Sequence, residues 1–428
     1  MQLTGEFVKK IIFILAFFLA GTAAFSFDMP FFSGYAGFLG DIAHDKDRKD
    51  FDAEFRMESF FSGQLDFSGN LLLRAEFYMA TQDLVDSNLF EESESENAFF
   101  NLGEVSATFK LSTYRSSHYF TLFMGSFEPI GSDIFLQRQF GIQPIGARFT
   151  ESWHSLSGAS VYPFYGTGIS YVYHPENSGA AAIYAYMNKQ TFSEETRKVL
   201  NADIRVARLF PNLTLDLSAG VGFPLENTDA NGNDVVLLIQ EVQLHAGFNI
   251  LLGNRYTSSL FAQGGFTDFV LASSSENSKK TISFSDLYFY LEPRFHLRKA
   301  QIHLALFNLP RDSADDMLYL KEIINSDSTI NNLLGVNLCT VTDNLYIGNT
   351  NFTFGIHSSY MVTNADLEEF KKDFKAIKNW DMKLYITPFL SVPVLGGTMN
   401  GSFTVNVFNL KNDIHSSLMG TVGFKTQF

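Results

Sequence analysis

The chain has a single cysteine, Cys339. One thiol excludes an intrachain disulfide, so whatever stabilises the fold is not covalent. Beyond residue 20 there is no run of about eighteen apolar residues, which excludes a later transmembrane helix. GxSxG, HExxH and a phosphate-binding glycine loop are all missing, which removes any motif-based case for an enzyme, and no catalytic residues are assigned. Basic charge is also scarce. With 31 Lys and Arg against 46 Asp and Glu, the formal charge is −15, which argues against a nucleic-acid partner. His118, His154, His245, His296, His303 and His357 show no paired ligand spacing, so neither a metal nor a cofactor is expected. No Ser/Pro-rich tract or long single-charge run divides the chain, which favours one cooperative body.

What is present begins with Lys9, Lys10 and the apolar run IIFILAFFLA from Ile11 to Ala20, followed by small residues at Thr22, Ala24 and Ser26. Such a run is too short to cross a bilayer as a helix and fits the core of a secretory signal, with cleavage after Ala24 or Ser26. Residues 1–26 are therefore expected to be a cleavable signal peptide, and 27–428 a single domain.

The dominant pattern in that domain is alternation with period two. Leu213, Leu215, Leu217, Ala219, Val221 and Phe223 oppose Thr214, Asp216, Ser218, Gly220 and Gly222. Leu287, Phe289, Leu291, Phe295 and Leu297 oppose Tyr288, Tyr290, Glu292, Arg294, His296 and Arg298. Strands in soluble sandwiches are typically about 5 to 6 residues long. Most runs here are longer and match the roughly 9 to 11 residues of a tilted membrane-spanning strand, apolar toward lipid and polar toward a lumen.

The pattern gives about 18 strands, with a range of 14–18, in an all-β antiparallel transmembrane barrel. Short turns near Gly63, Arg115, Ser178, Pro211, Gly253 and Lys299 fall on one side. Long connections at 81–102, 128–166, 224–234, 267–283, 309–331 and 364–381 fall on the other, as expected for periplasmic turns and outer loops. Aromatics near strand ends, among them Phe61, Tyr119, Phe127, Phe210, Tyr360 and Phe389, suit girdles at the two membrane interfaces.

The last residues, MGTVGFKTQF, place Leu418, Gly420, Val422, Phe424, Thr426 and Phe428 on one strand face. With the signal peptide and the repeated strands, this ending resembles the outer-membrane β-barrels of double-membraned bacteria. In those proteins the last strand ends in Phe and is read by the barrel-assembly machinery. The matching residues are Phe428, Phe424, Val422 and Leu418, while Gly420 and Thr426 depart from the usual apolar choice. Within that class the size is similar to a porin. The stretch GSFEPIGSDIFLQRQFGIQPIGARF, 125–149, resembles the point where some porins send a loop into the lumen. A fatty-acid transporter is a rival of similar length, but its Asn-Pro-Ala plug signature is absent.

The resemblance implies a bacterial outer-membrane channel for passive diffusion of small hydrophilic solutes. Its partners would be outer-membrane lipid, the assembly machinery and the solutes themselves. A surface adhesin or structural barrel, and a fatty-acid-transporter-like barrel for hydrophobic solutes, are the alternatives. Porin-sized barrels often trimerise, but no residue here marks a subunit interface, so the oligomer stays open.

The candidate lumen-lining residues are Glu54, Arg56, Glu58, Arg74, Glu76, Glu104, Lys110, Asp203, Arg205, Glu241, Glu292, Arg294 and Arg298. Acids outnumber bases on the polar strand faces, which predicts a mild cation preference; cross-strand pairing within a polar wall is the competing account of the same charges. Glu128, Asp133, Arg138 and Arg148 mark the candidate constriction loop, and Phe424 and Phe428 the candidate assembly signal. The DANGND stretch at 229–234 reads as an Asn-Gly turn rather than a calcium loop, since Asp234 stands where Gly is needed. Residues 366–378 read as a short amphipathic helix.

Overall fold

The computed structural model describes residues 31–44, 53–67, 69–81, 98–143, 146–154, 165–176, 179–192, 195–227, 235–237, 241–254, 257–270, 287–315, 317–325, 329–347, 350–365 and 381–428. The candidate signal peptide, the 229–234 turn and the 366–378 helix lie outside these residues.

The strands are β1 (Phe31–His44), β2 (Ala53–Asp66), β3 (Leu71–Thr81), β4 (Ala98–Ser112), β5 (Ser116–Ser126), β6 (Tyr165–Pro175), β7 (Gly179–Phe192), β8 (Glu195–Phe210) and β9 (Leu213–Asn227). They continue as β10 (Val235–Leu237), β11 (Gln243–Gly253), β12 (Ser259–Val270), β13 (Leu287–His296), β14 (Gln301–Pro310), β15 (Asn332–Ile347), β16 (Thr350–Thr363), β17 (Asp381–Val394), β18 (Gly397–Asn406) and β19 (Leu418–Gln427). Each pairs antiparallel with its neighbour, β9 pairs directly with β11, and β19 returns to β1, with Tyr35 opposite Gln427 and Ile42 opposite Gly420. The three-residue β10 pairs antiparallel with the end of β9, beyond the part that β11 pairs, so it adds no separate wall strand. The result is a closed 18-strand antiparallel barrel. Closure leaves no open sheet edge, the condition for a β-structure to sit in hydrocarbon.

The two faces follow the sequence code. On β8, Asn201, Asp203, Arg205 and Ala207 are buried inside, while Ala202, Ile204 and Val206 face out. Outward side chains elsewhere include Phe38, Leu122, Ile169, Ile183, Leu217, Phe289, Phe295, Phe403 and Val422, all large, apolar and exposed. In water so much exposed apolar surface would drive association; in lipid it is the matched face.

The turn after β2 sits four residues later than the expected turn at Gly63. Asp66 Oδ1 accepts the Gly69 N–H at 2.9 Å, Phe67 N–H donates to Leu71 O, and Gly69 takes φ 67°. A four-residue turn leaves the odd-out, even-in phase of β2 and β3 unbroken, so the alternation runs straight through it. β7 and β8 pair along almost their whole length, from Gly179 opposite Arg208 to Phe192 opposite Glu195. Not every aromatic expected in the girdles faces lipid. Phe61, Phe210 and Tyr360 are exposed outside, whereas Phe127 and Phe389 are buried within the barrel and Tyr119 lines a cavity there.

Two long-side connections enter the barrel. The first, after β5, carries helix α1 (Ile134–Phe140), with Ile130, Ile134, Phe135 and Leu136 buried. Glu128 starts the reversal at φ 49°, a left-handed value that a non-glycine residue holds only when its surroundings fix it. The second, after β14, carries α2 (Arg311–Asp315) and α3 (Lys321–Asn325), with Met317, Leu318, Leu320, Ile323 and Ile324 buried. The two meet inside. Ser152 bridges Met317, and the Leu318 N–H donates to Glu151 O at 3.0 Å.

Together they build an apolar core against the inner faces of β7 to β17. Phe149 stacks near Tyr290 and Phe307, and Tyr184, Tyr186, Phe261, Leu333, Met361 and Tyr385 complete the wall. Water-accessible space is left beside β1 to β6.

Candidate functional site

Among the described residues, two sizeable cavities lie on opposite sides of a polar septum. The one nearer the short turns is about 400 Å³ and is lined by Ser33, Gln64, Arg74, Thr108, Glu128, Arg138 and Gln427, among others. The one nearer the long loops is about 420 Å³ and is lined by Glu58, Glu76, Tyr78, His154, Asp315 and Lys321, among others.

Strand period two places Arg74 and Glu76 on the same inner face of β3, one facing each cavity. Between them Arg74 Nη2 lies 3.4 Å from Glu76 Oε2, and Arg74 Nε lies 3.7 Å from Glu104 Oε2 on β4. Tyr35 of β1 and Tyr78 of β3 both donate to Glu76 Oε1, at 3.2 and 2.7 Å. From the loop side, Arg138 on α1 donates Nη2 to both Glu104 oxygens at 2.7 Å and Nη1 to Glu128 Oε1 at 3.2 Å. Its guanidinium also lies over the Phe127 ring, 4.7 Å from the centroid. The septum is thus built from barrel wall and inserted loop together.

Several groups hold the loop in place. Tyr184 donates to Glu128 Oε2 at 2.7 Å, Arg205 Nη1 donates to the Glu128 carbonyl at 2.6 Å, and Gln263 donates to the Gly131 carbonyl at 2.9 Å. Arg205 is fully buried and forks onto Asp216, Nε to Oδ1 at 2.8 Å and Nη2 to Oδ2 at 2.6 Å, with its charge over the Phe135 ring. A bidentate guanidinium–carboxylate pair fixes both distance and angle, so the loop docks on a rigid mount. On the other side, Glu58 is shared by His154 Nε2 at 3.1 Å and by Lys321 of α3, tying both inward segments to β2. Tyr319, in the second inward segment, packs on His357 and Phe389 with centroids 4.2 and 5.3 Å apart. Burial pushes its phenol well above the usual range, and the Glu151 carboxylate adds to this, so it stays neutral there.

The sequence-marked residues fall into several places. Glu58, Arg74, Glu76, Glu104, Glu128 and Arg138 gather around the two cavities. Asp203, Arg205, Glu292 and Arg294 lie on the inner face but in the packed sector: Asp203 pairs with His245 at 2.5 Å, and Glu292 with Arg294 and His303 at 2.6 and 2.9 Å. Glu54 and Arg56 pair with each other on β2. Lys110 sits over the Tyr119 ring. Glu241 precedes β11 at the long-loop rim and pairs with Arg197 at 2.8 Å. Arg298 is exposed in the turn after β13, because the strand ends at His296 where its alternation would carry on. Asp133 is fully buried ahead of α1, and Arg148 is half-buried further along the same segment.

Phe424 and Phe428 lie at the barrel seam. Phe424 sits 6.1 Å from Phe38, and Phe428 stacks on Phe32 and Phe61 at 5.4 and 5.8 Å. The backbone of Phe428 exchanges two hydrogen bonds with Gly34, at 2.9 and 3.0 Å.

Tyr35, Tyr78, His154, Asp315 and Lys321 were not marked by the sequence reading. Tyr35 and Tyr78 stand at inward phase on their strands, which was a usable signal. The second inward segment had one too: MLYLKEII, 317–324, is an apolar run where an outer loop should be polar.

The packed sector makes a direct prediction. A Cβ added at Gly220 would overlap both Asp203 Oδ1 and His245 Nε2. Gly220→Ala is expected to cost about 1–3 kcal/mol by overpacking, read as a lower unfolding midpoint in detergent, with an unchanged midpoint as the contrary result.

Cys339, His357 and Asn337 line up on the inner wall, Sγ to Nε2 at 3.8 Å and Nδ1 to Oδ1 at 3.3 Å. All three are buried under Tyr319, Phe389 and Phe149, and neither of the two large cavities reaches them. A nucleophile and base need a reachable substrate position, so the trio reads as satisfied wall.

No protein-family model and no curated protein sequence matches the chain. Among solved structures, the outer membrane protein opdK from Pseudomonas aeruginosa is similar over 93% of this chain and 99% of that one, with a TM-score of 0.50 at 10% identity. A mutant porin from Rh. blastica aligns over 94% of this chain and 100% of that one, with a TM-score of 0.42 at 10% identity. At such identity the likeness to opdK bears on the fold alone, the closed β-barrel described above.

Proposed function

We propose that this protein is an outer-membrane channel through which small hydrophilic solutes diffuse passively along β1 to β6. The observation that carries this is the pair of cavities, each with charged side chains in its wall, facing each other across a charged septum inside a closed barrel with an apolar exterior. A surface barrel acting only through its loops has no need of such a lumen. The inserted loop after β5 acts as the constriction, and Arg74, Glu76, Glu104, Glu128 and Arg138 set its field. Around the conduit Glu58, Glu76, Glu104, Glu128 and Asp315 outnumber Arg74, Arg138 and Lys321, which supports a mild cation preference. Short turns face the periplasm and long loops the exterior.

Swelling of proteoliposomes in a size-graded sugar series tests the reading. Pentoses are expected to enter and trisaccharides to be excluded. Equal rates with and without protein for the smallest sugar would overturn it.

Residues 1–26 serve as the export signal and Phe428 as the assembly signal in this reading. The ring contacts of Phe428 with Phe32 and Phe61 give it a second part, closing the seam between β1 and β19. Removing Phe428 is expected to lower the membrane-assembled fraction while export continues. Wild-type levels of heat-resistant folded barrel would contradict that.

A further inference from the structure

The two cavities differ in what lines them. Around the long-loop cavity stand Glu58, Glu76, His154, Asp315 and Lys321. The described lining of the short-turn cavity instead includes seven hydroxyl side chains and four glutamines. Gln64 comes from β2, Gln137 and Gln139 from α1 and Gln427 from β19, so amides reach this space from wall, inserted loop and closing strand together.

Charge is present there but already engaged. Arg74 faces Glu76 at 3.4 Å and Glu104 at 3.7 Å, while Arg138 holds Glu104 at 2.7 Å and Glu128 at 3.2 Å. The terminal carboxylate of Phe428 adds a further negative group to the lining. Lys110, 5.7 Å from the Tyr119 ring centroid, stands outside it. An anion therefore finds no unpaired guanidinium, and a small cation needs none of the neutral lining. The hydroxyls and amides are left for a neutral solute.

Hydroxyl and amide side chains both donate and accept hydrogen bonds, as does every hydroxyl of a sugar. Two of the amides have acceptors to spare: Gln137 Oε1 and Gln139 Oε1 receive no hydrogen bond from the protein. An acceptor buried without a donor is costly, and rotation about the last bond of either amide brings its oxygen to the cavity, where a solute hydroxyl can donate to it. Leu72, Val172 and the Tyr119 ring give the same wall an apolar part, suited to the C–H faces of a sugar ring. At about 400 Å³ the space falls within the roughly 300–1,000 Å³ of small-molecule sites.

Resting on the channel reading above, we infer that the short-turn cavity is a saturable binding site for a neutral monosaccharide. The glutamines of α1 hold its hydroxyls from the loop side, and Gln64 and the strand hydroxyls hold them from the wall. A solute of the same size without hydroxyl donors leaves those acceptors unmatched and is bound more weakly.

The test is potassium chloride current through single channels in a planar bilayer, titrated with D-glucose. A parallel titration uses triethylene glycol dimethyl ether, a neutral solute of similar mass that accepts hydrogen bonds and donates none. Glucose is expected to reduce the current saturably in the millimolar range, at about one tenth of the ether concentration needed for the same effect. The double variant Gln137→Ala and Gln139→Ala is expected to raise the half-effective glucose concentration roughly tenfold, the size of two hydrogen bonds. Neither residue lines the other cavity, so the change locates the site. Gln64→Ala, which leaves the inserted loop intact, is expected to raise it about threefold.

Equal reduction by glucose and the ether, or a glucose effect that grows without saturating, overturns the inference. Saturable reduction with the parent's affinity in the glutamine variants overturns it as well, because the sugar then binds elsewhere. Potassium chloride current without a glucose effect defeats the saccharide site alone; absence of any current defeats the channel reading with it.

Discussion

Replacing residues 131–142 with a short Gly/Ser bridge is expected to raise single-channel conductance roughly threefold, because an unplugged 18-strand barrel encloses an aqueous channel. The segment contributes α1, and with it Arg138, which closes the septum onto Glu104 and Glu128. It also contributes Ile134, Phe135 and Leu136, which fill the sector between the inserted loop and β7 to β13. Their removal leaves Arg205, Asp216 and Gln263 facing water rather than protein, which their charged and polar heads tolerate. Cation preference should weaken in the same variant, since a wider bore screens the wall charges more effectively. An unchanged conductance would mean that the loop does not limit the conduit.

Arg205→Leu is expected to destabilise the barrel by about 3–5 kcal/mol, because it strands the buried Asp216 carboxylate without its fork. Asn249 Nδ2 remains 2.9 Å from Asp216 Oδ2, but one neutral donor does not replace a bidentate cation. The loss also unmoors the constriction loop, since Arg205 holds the Glu128 carbonyl. Combining it with Asp216→Leu should recover much of the stability, because removing both partners leaves no buried charge behind. Urea unfolding in lipid or detergent micelles reads both. A single variant as stable as the parent, or a double variant no better than the single, would contradict the account of this pair.

Much of the wall was legible in the sequence because a barrel in lipid writes its two faces as strict alternation. Asp203 and Arg205 against Ile204 and Val206 could be assigned to inside and outside without coordinates. The same regularity hid the turn at Phe67–Asn70, whose four residues preserve the phase from Leu65 to Leu73.

The site was less legible. Glu104 and Arg138 could each be flagged as charged and internal, but their meeting at 2.7 Å depends on how deeply the loop enters. The side of the barrel left open depends on packing between elements far apart in sequence, such as Phe149 on Phe307 and Trp153 on Phe60. No local pattern encodes that choice. The second inward segment did leave a trace, because Met317, Leu318, Leu320, Ile323 and Ile324 are costly to expose in an aqueous loop and find their burial inside the barrel.

The central claim, a conduit past a charged septum, is tested most directly by reconstituting the purified protein in a planar bilayer under a potassium chloride gradient. Discrete current steps are expected, with a reversal potential on the cation-selective side that moves toward zero in Glu76→Gln. A bilayer that stays at background conductance after insertion of folded barrel would contradict it.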